Sequence, residues 1–394
     1  MAIGNLVVAA LMLACAGYQY MKGNLVKGFT TAIITVCASI VAFAYFELLA
    51  GLLISRGERV AALIPWAYFI SFTLLFVVAF AVLQTIAAQL MRQAVKLAPL
   101  PERIGRVACG LFLGLEMSGL LLAALAMTPL PNKYPYPRFN DANPNPDEPA
   151  IVLLNADGFA AGWFSTVSNG SLSGKTSFAA LHPDFLDQAF LNRHKAADGV
   201  PLASSADAIE LPSRRTDPNS AAAWNAPEQL NTTDGKPVPQ KTAHNLVIVR
   251  TGFKRDAIKD AGKFTPCQLR LICKQRALAD NPTAGAAVNA YPLGYIESQN
   301  RLKITRLSEE ITVAYSHFEG QSSVRWIDFA FFVPNGFVPV FLEFKQNNIV
   351  EVPTLLFAEA APPAVPFSQV TEPKKPSPPP SKKGAKSPKT KYKR

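Results

Sequence analysis

Two carboxylates, Glu47 and Glu116, lie inside long apolar stretches of this 394-residue chain, and they are the side chains best placed to do chemistry. Glu116 is ten residues from Arg106, about 15 Å along a helix, and Glu47 is nine residues from Arg56. An ionisable group at bilayer depth costs at least ~2.5 kcal/mol, so each is expected to face a bundle interior or water. A carboxyl there that exchanges its proton can serve a proton or ion pathway. A neutral carboxyl hydrogen-bonded to Ser118, Thr73 or a backbone carbonyl is instead a packing feature. The second use is favoured, because no Lys, Arg, His or Asp lies within any of the apolar runs to act as a partner.

Signals for other chemistry are poor. The segment Gly170-Ser171-Leu172-Ser173-Gly174-Lys175-Thr176 resembles a phosphate-binding loop but is one residue short between its glycines. Leu172 stands where a G-x-S-x-G elbow needs its nucleophile. His182, His194, His244 and His317 fall in separate segments with no i, i+4 pair, so surface or capping roles are expected. Cys15, Cys37 and Cys109 lie in apolar runs, where they pack as small apolar residues. On a straight strand Cys267 and Cys273 stand ~20 Å apart, beyond the ~7 Å limit for a bridge, and are expected to be core thiols. The expectation is a non-enzymatic protein with no catalytic residues, no metal site and no cofactor.

The elements that would hold the two carboxylates are transmembrane helices. Mean hydropathy is only +0.15 and net charge is +11, but both average over unlike segments. Residues 1–132 contain 12 charged side chains and no Asp or His. Four apolar runs, residues 3–20, 29–55, 64–88 and 107–128, match the ~20 residues needed to span a hydrocarbon core. Pro65 falls in the first turn of the third run and Pro129 and Pro131 close the fourth. Tyr18, Tyr20, Trp66 and Tyr68 sit at run ends, as an interfacial belt does. The first run is expected to be retained and not cleaved as a signal peptide, since no basic residue precedes Lys22. Collagen-like, disulfide-scaffold and wholly soluble classes are excluded.

Loop charges orient the runs. Lys22, Lys27, Arg92, Lys96, Arg103 and Arg106 fall on one side, and Arg56, Arg59, Lys133 and Arg138 on the other. Basic loops stay cytoplasmic, so both termini, and everything after Thr128, are expected outside the cytoplasm of a multi-pass membrane protein. Gly110 and Gly114 form a G-x-x-x-G on the fourth run, a spacing that lets backbones approach closely, either within the four-helix unit or in a homo-oligomer.

Two stretches carry a family resemblance. They are Gly17-Tyr18-Gln19-Tyr20-Met21-Lys22-Gly23 with Lys27-Gly28-Phe29, and Arg103-Ile104-Gly105-Arg106-Val107-Ala108-Cys109-Gly110-Leu111-Phe112-Leu113-Gly114. The first is similar to the Gly-aromatic-basic-Gly turn of the colicin V production protein family, and the second to the basic, Gly-rich start of its last helix. The resemblance covers about residues 1–130. It implies an inner-membrane protein of the cell envelope linked to toxin production, secretion or envelope organisation. A small oligomeric channel or proton-coupled transporter using Glu47 and Glu116 is the alternative.

Beyond the helices, residues 132–150 are rich in Pro, Asn and Asp and read as a linker. In residues 151–243, Asp157 is expected to cap a helix bearing Phe159, Trp163, Phe164 and Val167, and Pro183-Asp184 to start another with Phe185, Leu186, Ala189 and Phe190 on one face. Residues 196–243 lack periodicity and read as a long loop. Residues 244–370 show seven period-two runs, which predict a small sandwich or open barrel. Asn335-Gly336 is expected to turn a hairpin that sets Phe329, Phe331 and Val333 opposite Leu342, Val340 and Val338. The fold class is thus a four-helix transmembrane domain (1–131) followed by an exported α+β domain ending in a β-rich, sandwich-like region.

Residues 371–394 hold nine Lys or Arg and one Glu, with three consecutive prolines and almost nothing apolar. Such a tail cannot bury enough surface to order itself. Lys374, Lys375, Lys382, Lys383, Lys386, Lys389, Lys391, Lys393 and Arg394 make an anionic surface, lipid headgroup or cell-wall polymer, its natural partner besides the bilayer. Reporter fusions after Thr128 and after Gln369 are expected to be active outside the cytoplasm, and one near Leu97 inside it. The reverse pattern would return the basic tail to the cytoplasmic face.

Overall fold

The computed structural model describes residues 2–56, 61–90, 98–170, 177–205, 207–212, 221–258, 262–318, 320 and 322–369. Its first third is helical: α1 (Ala2–Lys22), α2 (Leu25–Ser55), α3 (Ala67–Leu90) and α4 (Pro99–Ala126). All four are long and apolar enough to cross a membrane. The Asn24 side chain caps α2 by accepting from the Val26 N–H at 2.9 Å. Pro65 lies in a 3-10 turn, Ala61–Trp66, that leads into α3, and Pro99 occupies the first position of α4, where no N–H is missed.

Gly110 and Gly114 seat α4 against α1. A Cβ at Gly110 would lie 2.6 Å from the Ala16 Cα, and one at Gly114 would lie 2.5 Å from the Met12 Cα. The G-x-x-x-G therefore mediates a contact inside the chain. Along α2, Phe43 and Phe46 meet Phe72 of α3 with ring centres 4.9 and 6.1 Å apart.

Three further helices, α5 (Ala156–Asn169), α6 (Phe178–Leu181) and α7 (Phe185–Asn192), complete this bundle. Gly119 lets α5 press onto α4, since a Cβ there would fall on the Ala156 carbonyl. Phe164, Phe178 and Phe185 pack round Phe43 at 5.2, 5.9 and 5.7 Å. The long helices and α5 to α7 share one core, to which Cys267 from the strand-rich region also belongs. Residues 132–150 carry no helix or strand, yet Tyr136, Arg138 and Phe139 are buried, so much of the predicted linker is packed. Asp157 is not the cap of α5. Asn155 holds that position, while Asp157 is buried in the first turn and accepts a hydrogen bond from the Tyr136 hydroxyl.

The remainder is β-rich. Its strands are β1 (Ile209–Glu210), β2 (Ala223–Asn225), β3 (Asn231–Thr232), β4 (His244–Lys254), β5 (Lys263–Phe264), β6 (Leu269–Gln275), β7 (Val288–Ala290), β8 (Pro292–Ser298), β9 (Arg301–Ile304), β10 (Ile311–Thr312), β11 (Val324–Pro334), β12 (Phe337–Phe344) and β13 (Asn348–Glu351). A seven-stranded sheet runs β1-β4-β11-β8-β9-β3 with β2 also on β4, a four-stranded sheet runs β13-β12-β6-β7, and β10 pairs with β5. The β3–β9 pair is parallel and the other pairs are antiparallel. Phe253, Phe329 and Phe331 of the large sheet share a buried core with Leu271, Leu342 and Phe344 of the small one. Short strands β1, β2 and β3 arise from residues 196–243, where composition predicts only a loop.

The predicted hairpin at Asn335-Gly336 does not form. β11 pairs with β4 and β8, whereas β12 pairs with β6 and β13, so the turn carries the chain from one sheet to the other. The reason lies in two prolines. In a two-residue hairpin Pro334 and Pro339 would both take hydrogen-bonded ladder positions, and neither has an N–H to donate. Phe329, Phe331, Val333 and Leu342 still share a core, but across the sandwich.

Backbone approach at Gly114 gives a direct check. Gly114→Ala should lower the melting temperature in detergent by the equivalent of about 1–3 kcal/mol, the usual cost of overpacking. Gly162→Ala, where a Cβ meets nothing within 4 Å, should leave it unchanged or raise it.

Candidate functional site at the junction of helices and sheets

Glu47 projects from α2 toward His182, the residue that ends α6, and its Oε1 lies 3.0 Å from His182 Nε2. The two separations Gly28 to Glu47 and Cys109 to Thr128 are both 19 residues, and Gly28 sits against Cys109. Glu47 is thus roughly level with the C-terminal end of α4, not midway along it. Its partner comes from outside the long helices, which is why no search within the apolar runs finds one.

His182 is held from behind. Gln188 of α7 donates its amide N–H to the Pro183 carbonyl at 2.5 Å, which turns its Oε1 toward His182 Nδ1 at 3.0 Å. Nδ1 faces both Gln188 Oε1 at 3.0 Å and Arg270 Nη2 at 3.3 Å, donating to the first in one tautomer and accepting from the second in the other, while Nε2 faces Glu47. Burial alone would push the His182 pKa down. The Glu47 carboxylate outweighs it, helped by Glu343 and opposed by Arg270, so the pKa stands above its ordinary value.

The chain of charges continues into the small sheet. Arg270 Nη2 lies 3.3 Å from His182 Nδ1 and donates to the Leu181 carbonyl at 2.8 Å. Its guanidinium also engages Glu343, directly opposite it in the β6–β12 register, with Nε to Oε1 at 3.1 Å, and donates to Asn289 Oδ1 at 2.7 Å. Glu47, His182, Arg270 and Glu343 thus link α2 to β12 through alternating protein layers. All but Glu47 are nearly fully buried, and Glu47 is 37% exposed.

Two further buried clusters fasten the same junction. Arg138 donates to Asp187 at 2.5 Å and to the Tyr136 hydroxyl at 2.8 Å, and its Nη1 lies 3.6 Å from Asp157. Burial raises the Tyr136 pKa and, with Arg138 opposing, that of Asp187. Arg193 donates to the Leu125 carbonyl at 2.8 Å, satisfying a carbonyl at the end of α4, and also reaches the Pro131 and Tyr134 carbonyls. Burial pushes its pKa down to about 10.

Glu116 is 1% exposed, and neither carboxylate oxygen has a hydrogen-bond partner among the described residues. Ser118, the expected partner, donates instead to the Leu115 carbonyl at 2.9 Å, and the Thr73 hydroxyl is itself buried without a partner. The structure does not bring Glu47 and Glu116 into one cluster by any contact. His194 is buried, with Nε2 3.0 Å from the Asp141 carbonyl, so two of the four histidines depart from the surface expectation. His317 caps a turn by accepting from the Ala314 N–H. Cys267 and Cys273 are free buried thiols in different cores, and burial raises both pKa values. Among the described residues no cluster of His, Cys, Asp and Glu has the makings of a metal site. Gly170 ends α5, and the rest of the phosphate-loop-like segment lies outside the described residues, as do all nine basic residues of the tail.

Comparison with protein-family models, with curated proteins and with solved structures finds no match. The likeness to the colicin V production family rests on the residues quoted for it.

The His182 pair makes the junction sensitive to pH. A raised folded pKa contributes stability that is fully present below the unfolded value near 6.5 and is lost as pH rises through the folded value. Protease resistance of the junction should therefore fall as pH is raised from about 6 into the alkaline range. Glu47→Gln should weaken it by about 1–3 kcal/mol at low pH and flatten the dependence.

Proposed function

We propose that the chain is a non-enzymatic integral membrane protein of a bacterial cell envelope, acting in secretion, toxin production or envelope organisation. In this reading the four long helices span the inner membrane and hold the strand-rich region at its outer face. The charge distribution of the loops and the resemblance to the colicin V production family support the orientation and the setting. The observation that carries the reading is the Glu47–His182–Arg270–Glu343 chain, which bolts the sheets to the helices and suits a fixed platform more than a tethered catalyst. The basic tail, reaching an anionic surface, would add a second attachment, and a homo-oligomer is compatible with the exposed apolar faces of α1 and α3.

A proton-coupled transporter is the second reading, and the lack of any partner for the Glu116 carboxyl among the described residues favours it. Glu116→Gln separates the two, since it keeps shape and hydrogen-bonding capacity while removing the exchangeable proton. For a platform, that variant inserts, assembles and functions as wild type does. For a transporter, coupled flux in reconstituted vesicles disappears despite normal assembly, and that outcome would displace the first reading.

A further inference from the structure

α2 and α4 touch where Gly28 meets Cys109 and then leave a gap between them. The gap is a groove of about 510 Å³, with walls from Phe29, Ile33 and Cys37 of α2, Ala108 and Phe112 of α4, and Trp163 of α5. Almost no polar surface lines it. Phe29, Ile33, Cys37, Ala108, Phe112 and Trp163 are all exposed, so nothing else in the described chain covers it. Its volume lies within the ~300–1,000 Å³ typical of small-molecule sites.

We propose that this groove holds one acyl chain of a phospholipid as a persistent ligand, an inference that rests on the four helices spanning a membrane. Depth argues for a hydrocarbon chain. The walls from α2 and α4 belong to apolar spans, and from Phe29 to Cys37 the groove follows α2 for ~12 Å. The phosphate is argued from the rim. The groove opens two residues from Lys27 on α2 and two from Arg106 on α4, and Lys22 and Arg103 stand at the same end of the bundle. Lys22, Lys27 and Arg103 are exposed, and Arg106 has a buried Nε without a hydrogen-bond partner, although its Nη2 meets Glu102. A phosphate headgroup at this end meets the exposed Lys22, Lys27 and Arg103 and the free Nε of Arg106, an excess of positive charge that the one acid there, Glu102, does not balance. At the other end the Trp163 indole closes the groove.

Trp163 is also the reporter. The full chain is reconstituted in vesicles of phospholipid brominated at mid-chain, and its emission is taken as the difference between wild type and Trp163→Phe. Quenching of that emission is expected, together with its recovery in Ala108→Phe and in Cys37→Phe, each of which fills the groove from an exposed position. Equal quenching in wild type and both filled variants would mean ordinary surrounding lipid and would overturn the proposal. So would an unquenched Trp163 accompanied by a doubled particle mass, which assigns the groove to a second copy, or by a co-purifying isoprenoid lipid. Flotation with the vesicles tests the spanning reading separately. Protein that fails to float removes both readings, whereas floating protein with an unquenched Trp163 removes the groove alone.

Discussion

A carboxylate on α2 and an imidazole 135 residues later in the chain (182 less 47) meet between the helices and the sheets, and the remaining architecture is arranged around keeping them together. Removing water from a charge is expensive, so a charged imidazole as buried as His182 relies on the partly exposed Glu47 as its counter-charge. His182 is held by Gln188, and Gln188 by Pro183, with the ring's Nε2 3.0 Å from the Glu47 carboxylate. Arg270, close behind, is neutralised by Glu343 across the β6–β12 ladder. Phe178 and Phe185 shield the ring of His182 while also packing on Phe43, so the apolar core and the polar chain enforce the same docking geometry.

That geometry explains why the four long helices do not close a bundle by themselves. α1 is held chiefly by backbone approach to α4 at Gly110 and Gly114, and α3 leans on α2 through Phe72. The side of α4 bearing Gly119 is covered by α5, and Arg193 answers the carbonyl of Leu125 at the end of α4. Helices α5 to α7 and the segment leading to them are thus part of the packing of the long helices, and the boundary near residue 131 divides composition more sharply than it divides structure.

Much of this architecture is legible in the residues. Apolar runs of spanning length locate all four long helices, and period-two runs locate β4, β6, β8, β9, β11 and β12, because both signals repeat over many positions, whereas the run at 311–317 yields only the two-residue β10 and a 3-10 turn. The two- and three-residue strands β1, β2 and β3 are too short to show a period, so their segment reads as a loop. Tyr136, Arg138 and Phe139 are hidden by the prolines and asparagines around them, although two aromatics flanking an arginine are a visible hint of burial. The failed hairpin is also readable in principle: Asn335-Gly336 is a strong turn signal, but Pro334 and Pro339 forbid the ladder it would start. Glu47 stands out from its apolar surroundings and His182 does not, since no spacing rule connects positions so far apart.

The shared core has a consequence for how the protein is made. Phe43 and Phe46 leave the ribosome long before Phe178 and Phe185, and longer still before Cys267 and Arg270. Chains are synthesised at ~5–20 residues per second, so α2 is complete many seconds before the residues that cover its aromatic face and pair its carboxylate. During that interval Phe43 and Glu47 lack the aromatic and histidine partners that later pack on them. The packing of the long helices is therefore finished only by residues made well after them, and a chain cut short before residue 178 would leave that aromatic face bare.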